Sequence, residues 1–144
     1  MRISQKVEYA VRAMIDLAAQ GGDHTVRSGA IARRAGVPEK YLEAILVELG
    51  RAGLVQSRRG PDGGHRLARP ASSMRVHDIY AAVEGPLALA PPRGRRAGPP
   101  GLDRVVGDVW REIEAAVRTV LDGTTLDELA KRAQAGRDVL DFNI

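Results

Sequence analysis

The stretch SGAIARRAGVPEKYLEAILVELG (residues 28–50), continued by RAGLVQSRRGPDGGHRL (residues 51–67), decides how this chain is read. Its first part carries two short apolar stripes at helical spacing. Ala30, Ile31 and Ala35 form one, with Ser28 as N-cap and Gly36 as terminator. Leu42, Ile45, Leu46 and Leu49 form the other, which opens with Pro38 in its first turn and closes between Gly50 and Gly53. Only Gly36 and Val37 separate them, and so tight a junction between short helices is the layout of a helix-turn-helix. In the second part, Leu54 to Arg58 and His65 to Ala68 read as two strands around Gly60-Pro61-Asp62-Gly63-Gly64, where Pro presets one dihedral and the glycines accept positive φ. A β-hairpin directly behind a helix-turn-helix is a wing.

On the N-terminal side, Val7, Ala10, Val11, Met14, Leu17 and Ala18 predict an amphipathic helix with Ser4 as N-cap and Gly21-Gly22 as its stop. On the C-terminal side, Val76 to Glu84 reads as a short helix packing Ile79, Tyr80 and Val83. Residues 85–101 gather five prolines and four glycines with Arg93, Arg95 and Arg96, a composition that excludes a regular element. From Leu102 the pattern returns: Leu102, Val106, Val109, Ile113, Ala116 and Val120 step by four and three, the seam of a coiled-coil-like helix over 102–122. Val105, Trp110, Val117 and Leu121 make a second stripe beside it. A helix with two apolar faces needs two partners, its own domain and a second subunit. Thr125 and Glu128 have capping-box spacing and open a last helix to about Ala135, with Gly136 as its end. The expected fold is mainly α with a small β-hairpin wing: a winged helix-turn-helix over 1–84, a Pro/Gly-rich loop over 85–101, and a dimerisation helix with a short terminal helix over 102–144.

Composition narrows the function. The chain has 144 residues, 44% of them hydrophobic, enough for a core without cross-links. Lys and Arg number 22 against 18 Asp and Glu, a net charge of +4. Residues 1–80 hold thirteen basic and eight acidic side chains, and 81–144 nine and ten, so the excess is N-terminal. Within 51–75, Arg51, Arg58, Arg59, Arg66, Arg69 and Arg75 face only Asp62, a cluster that fits nucleic acid, anionic lipid or an acidic protein. With no cysteine, disulfides, thiolate zinc sites, cysteine nucleophiles and cysteine-ligated iron–sulfur clusters are excluded, and a reducing cytoplasm is the expected setting. No apolar run approaches the ~20 residues of a spanning helix, and Met1-Arg2-Ile3-Ser4 leads into a charged helix rather than a signal sequence. His24, His65 and His77 lack metal-ligand spacing, and the Gly60 to Gly64 turn lacks the Lys-Ser/Thr of a phosphate loop, so no enzyme and no metal site is expected.

A helix-turn-helix places its second helix in the major groove while a wing reaches phosphates or the minor groove. The outward face of that helix offers Glu39, Lys40, Glu43 and, in part, Tyr41. Glu43 has two readings: an acceptor for a cytosine amino group, or a solvated charge paired at i,i+3 with Lys40. Arg58 and Arg59 alternate faces, so at least one is exposed, and the neighbouring glycines permit close backbone approach to phosphate. The candidate duplex-contacting set is Ser28, Lys40, Tyr41, Glu43, Arg58, Arg59, Gly60, Pro61, Gly63 and Arg66. Leu102, Val106, Val109, Ile113, Val117 and Val120 are the candidate dimer interface. Tyr9, Tyr80 and Trp110 are either core anchors or the lining of a ligand pocket.

The residues also carry a resemblance. MRISQKVEYAVRAM at the N-terminus, Ile31-Ala32, Val37 to Glu43, Gly53-Leu54-Val55, Arg59 to Leu67, Val83-Glu84-Gly85, Trp110-Arg111 and Thr124 to Leu126 together resemble the Rrf-two family of winged-helix transcription regulators. The resemblance implies a bacterial homodimeric repressor or activator on a roughly palindromic operator, held together by the long helix. It places Tyr41, Glu43, Arg59 and Gly60 on family DNA-contacting positions. At position 44 some members carry Gln for base contact, where Ala44 offers only an apolar one. Sensing members bind an iron–sulfur cluster through three cysteines before the long helix, often with a further side-chain ligand. An ungapped alignment puts Pro92, Gly98, Arg104 and Gly107 at the ligand positions. None is a usual iron ligand, so a member without that cofactor is expected. Two functions follow as expectations: a sequence-specific regulator of double-stranded DNA answering to a small-molecule effector or protein partner, or a winged protein–protein module that uses its arginines on an acidic or metabolic-enzyme partner.

Overall fold

The computed structural model describes residues 2–89, 91 and 98–142. Arg93, Arg95 and Arg96 of the Pro/Gly-rich stretch lie outside the described residues. In chain order come α1 (Gln5–Ala19), α2 (Ser28–Ala35), α3 (Glu39–Arg51), β1 (Val55–Arg58), β2 (Gly64–Leu67), a 3-10 turn at Ala71–Ser73, α4 (Val76–Glu84), α5 (Pro100–Gly123) and α6 (Leu126–Phe142).

Local chemistry explains most boundaries. Ser4 caps α1, its Oγ accepting from the Val7 N–H at 3.1 Å. Gly36 takes the left-handed conformation at φ 68°, which turns the chain from α2 into α3 at no Cβ cost. Thr125 Oγ1 accepts from the Glu128 N–H at 3.2 Å and starts α6. Several boundaries differ from the sequence expectation. α5 begins at Pro100, inside the stretch 85–101 read as a loop, because proline is tolerated in a helix's first turn. Arg27, not Ser28, is the N-cap of α2, without a side-chain cap, and Ser28 is the first helical residue. Pro38 sits at the N-cap of α3 in extended conformation rather than in its first turn. α6 runs through Gly136 to Phe142. A glycine there costs about 1 kcal/mol, and the Gln134–Asp138 hydrogen bond at 2.9 Å bridges it while Lys131–Asp127 and Arg132–Glu128 pairs support the preceding turns.

One core serves the whole winged unit. Ala10, Met14 and Leu17 of α1 meet Ile31 of α2, Leu42, Leu46 and Leu49 of α3, Ile79 of α4 and Leu126 of α6, all nearly inaccessible. Leu126 is notable because the chain returns to the winged core after the long helix. That return is fixed by backbone bonds, Val76 N–H to Thr124 carbonyl at 3.0 Å and Leu126 N–H to Met74 carbonyl at 2.9 Å. His77 and Asp122 pair at the same corner. Further along, the Leu89 N–H donates to Glu114 at 3.1 Å, so the segment leaving α4 is strapped across α5. The long helix is therefore tied to the winged unit at both ends of α4.

Asp16 of α1 is the one buried charge among the described core residues, 4% exposed. Arg34 of α2 grips it with two bonds, Nε at 2.8 Å and Nη2 at 3.0 Å, and ties the helix-turn-helix to α1. Asp16→Ala should lower the unfolding free energy by about 2–3 kcal/mol in urea melts, because it removes both charge-assisted bonds of the buried carboxylate and leaves a void in its place. A loss below about 0.5 kcal/mol, the ordinary range for surface substitutions, would contradict this role.

Candidate nucleic-acid interface

The hairpin is antiparallel with Val55 opposite Leu67 and Arg58 opposite Gly64. It does not stand alone. The residues before α2 pair with it: Val26 and His65 exchange two backbone bonds of 2.8 Å each. Thr25 Oγ1 donates to the Asp62 carbonyl at 2.9 Å, and the Arg27 guanidinium donates to the Pro61 carbonyl. Gly64 is required at this junction. Its φ is +149°, and a Cβ there would lie 2.6 Å from the Val26 carbonyl oxygen. The wing is thus locked against the start of α2.

Between them opens a groove of ≈760 Å³ whose lining includes Arg27, Arg33, Arg58, Arg59 and the first turn of α2. Arg58 and Arg59 are exposed and make no side-chain hydrogen bond or ion pair among the described residues. The first-turn N–H groups of α2 and these guanidinium forks point to anionic oxygen as the occupant. Glu39 tempers the charge; its Oε1 lies 3.5 Å from Ser28 Oγ.

Beside the groove stands α3. Leu42, Ile45, Leu46 and Leu49 are buried on its inner side, while Glu39, Lys40, Tyr41, Glu43, Ala44, Val47 and Arg51 are exposed. Lys40 does not pair with Glu43: its Nζ sits 5.2 Å from the centre of the Tyr41 ring, and Glu43 makes no ion pair among the described residues. The Glu43 carboxylate is therefore available to a donor. Tyr41 stacks on Tyr9 at 6.3 Å between centroids, so Tyr9 packs against α3. A small apolar cleft of ≈270 Å³ lies there, lined by Gln5, Lys6, Tyr9, Tyr41, Ala44 and Ile45 and by neither Tyr80 nor Trp110.

Of the expected contact set, Ser28, Arg58, Arg59, Gly60 and Gly63 line the groove, and Lys40, Tyr41 and Glu43 sit on the open face of α3. Pro61 is exposed at the wing tip. Arg66 lies apart, on β2, donating to Gln56 at 3.2 Å and lining a separate hollow. Arg27 and Arg33 belong to the groove but were not singled out in sequence. The signal available in sequence is their place at the two ends of α2, Arg27 at its N-cap and Arg33 in its last turn. Among the expected dimer residues, Leu102, Val106, Val109, Ile113 and Val120 are exposed, and Val117 is half-buried. α5 buries none of its residues within the chain.

Burial lowers the pKa of His65 from its ordinary 6.5, with the Glu43 carboxylate opposing in part. As pH falls below 6.5 the unfolded chain takes up the proton first, so stability is full above that value and lost as pH drops toward the folded-state pKa. His65→Asn keeps a hydrogen-bonding partner for Ser57, whose Oγ lies 2.7 Å from Nδ1, and should flatten the acid limb of Tm measured between about pH 5 and 8. An acid limb as steep as the wild type's would contradict the assignment.

A helix-turn-helix and a locked wing of this kind have sequence relatives. The Rrf2 family, described as Iron-dependent Transcriptional regulator, matches residues 3–132. The chain belongs to the Rrf2 family. It is 40% identical over 131 residues to a Mycobacterium tuberculosis protein designated an HTH-type transcriptional regulator, across 90% of this chain and 81% of that one. It is 37% identical over 136 residues to the HTH-type transcriptional regulator IscR of Cereibacter sphaeroides, across 91% and 88%. Among solved structures, CymR, the global cysteine regulator of B. subtilis, superposes with a TM-score of 0.77 at 34% identity, across 92% and 98%. These matches make the chain an Rrf2-family transcriptional regulator, with the winged-helix fold expected from its sequence. None of its described helices is long and apolar enough to cross a membrane.

The family description names iron, and the donor set of this Rrf2 member does not fit an iron–sulfur cluster. The chain has no cysteine. Among the described residues no group of three or more His, Cys, Asp or Glu is placed to hold a metal ion. Of the aligned ligand positions, Gly98 neighbours Asp103, Arg104 is exposed on α5, and Gly107 is covered by the Arg111 guanidinium, 3.3 Å from where a Cβ would stand. Pro92 lies outside the described residues.

Proposed function

We propose that this chain is a sequence-specific regulator that grips a palindromic operator as a homodimer and works without an iron–sulfur cluster. The observation that carries the reading is the open face of α3 beside an arginine groove whose walls, α2 and the wing, are pinned together by four bonds. Such a surface can seat a helix in the major groove while Arg58 and Arg59 reach phosphate or the minor groove. Glu43 supports readout over plain charge attraction, because a carboxylate at a DNA-facing position repels phosphate and is useful where a cytosine amino group donates to it.

The dimer reading rests on α5. Leu102, Val105, Val106, Val109, Trp110 and Ile113 are 40% exposed or more in a helix of 24 residues. A row of that size left bare on a winged unit fits a second copy of the same helix, related by a two-fold axis that also pairs the wings.

The test is selection of bound duplexes from a random pool at about 0.15 M salt, a Debye length of about 8 Å. A defined inverted repeat is expected. Recovery of unrelated sequences, with an acidic polypeptide competing as well as duplex, would favour the acidic-partner module instead.

A further inference from the structure

We propose that Ala44 and Val47 read sequence as well, by packing against the C5-methyl groups of thymines next to the base pair that Glu43 addresses. The inference rests on the operator-binding reading above. At 3.6 residues per turn, Lys40, Ala44, Val47 and Arg51 form the stripe opposite the buried Leu42, Ile45, Leu46 and Leu49. The two ends of the stripe are cationic and its middle is apolar, with Glu43 alongside. Val47 is 53% exposed. Across α2, α3, α4 and the wing, the exposed large hydrophobics among the described residues are Tyr41 and Val47, both on α3. Tyr41 is engaged by Tyr9 and Lys40. Val47 has no such neighbour.

The chemistry of the major groove selects the occupant. α3 contains no Asn or Gln, so it cannot make the paired amide contact to adenine. The apolar feature that a base presents in that groove is the thymine methyl, and an alanine or valine side chain matches it. Flanking cations on Lys40, Arg51 and the arginine groove keep the surrounding surface suited to a polyanion, so the apolar strip faces a duplex rather than an oily partner.

Deoxyuridine in place of thymidine deletes that methyl and leaves every hydrogen-bonding group of the pair in place. In duplexes recovered by selection, thymine should adjoin the required cytosine on one strand or the other. Its replacement by deoxyuridine should weaken binding by about four-fold per site, the worth of one buried methyl-sized group. Ala44→Ser and Val47→Ser, at exposed positions where the fold is kept, should abolish the thymidine–deoxyuridine difference while Tm stays unchanged. If a defined site is selected but deoxyuridine binds equally well, or no thymine adjoins the cytosine, the inference fails and the operator reading stands. If the difference persists in both serine variants, the methyl acts through duplex shape and the inference again fails. If no defined site is selected at all, both fall together.

Discussion

The double variant Val109→Glu/Ile113→Glu is expected to sediment as a monomer and to bind its operator at least about a hundred-fold more weakly than the wild type. Val109 and Ile113 are 47% and 40% exposed, one turn apart on the seam of α5. Neither belongs to the core that holds α1, α2, α3 and α4 together. The winged unit should therefore keep its fold, read as an unchanged far-UV circular dichroism spectrum and a cooperative melt, which separates loss of pairing from loss of structure. The size of the effect follows from linkage of two half-sites. A dimer delivers its second winged domain at millimolar effective concentration, and a monomer does not. Because α5 is tied to α4 through Thr124, Asp122 and the strap to Glu114, pairing of two such helices would also set the spacing of the two wings. A variant that remains dimeric would show that the two chains pair through a surface other than the α5 seam.

Arg59→Ala and Glu43→Ala should fail in different ways. Arg59 is exposed at the wing and lines the groove, where the proposed reading gives it contact with the backbone of any duplex. Its loss should weaken preferred and random duplexes alike, by roughly ten-fold at low salt, and lower the salt slope by about one. Glu43 is exposed, unpaired among the described residues and unable to attract phosphate. Its replacement should leave affinity for the preferred duplex within a few-fold while discrimination at one C·G pair falls by about 1–3 kcal/mol. Competition binding against single-base variants of the preferred duplex reads both effects. Equal losses on preferred and random duplexes for both variants would remove Glu43 from base readout.

What could be read from sequence was the chemistry that acts locally. Ser4 and Thr125 declared themselves as caps, Gly36 as the left-handed turn, and Leu42, Ile45, Leu46 and Leu49 as one buried face, because each depends on neighbours three or four residues away. The wing was legible from its turn residues. What stayed hidden was contact between distant segments. The Val26–His65 pairing, which locks the wing to α2, joins residues thirty-nine apart and leaves no periodic trace. The Asp16–Arg34 pair reads in sequence as two surface charges. Tyr9, Tyr80 and Trp110 invite grouping by residue type, yet Tyr9 stacks on Tyr41 of α3 and Trp110 is 42% exposed on α5. Gly136 misleads for the opposite reason: it carries a local stop signal that the flanking i,i+4 pairs override.

The measurement closest to the central claim is a footprint of the full chain on a selected duplex, combined with the stoichiometry of the complex by sedimentation. The account predicts two chains per duplex and two protected half-sites related by inversion, their centres separated by about one helical turn, roughly 10 bp, or a whole multiple of it. Protection of a single half-site by one chain, or uniform protection that moves with duplex length instead of sequence, would contradict it.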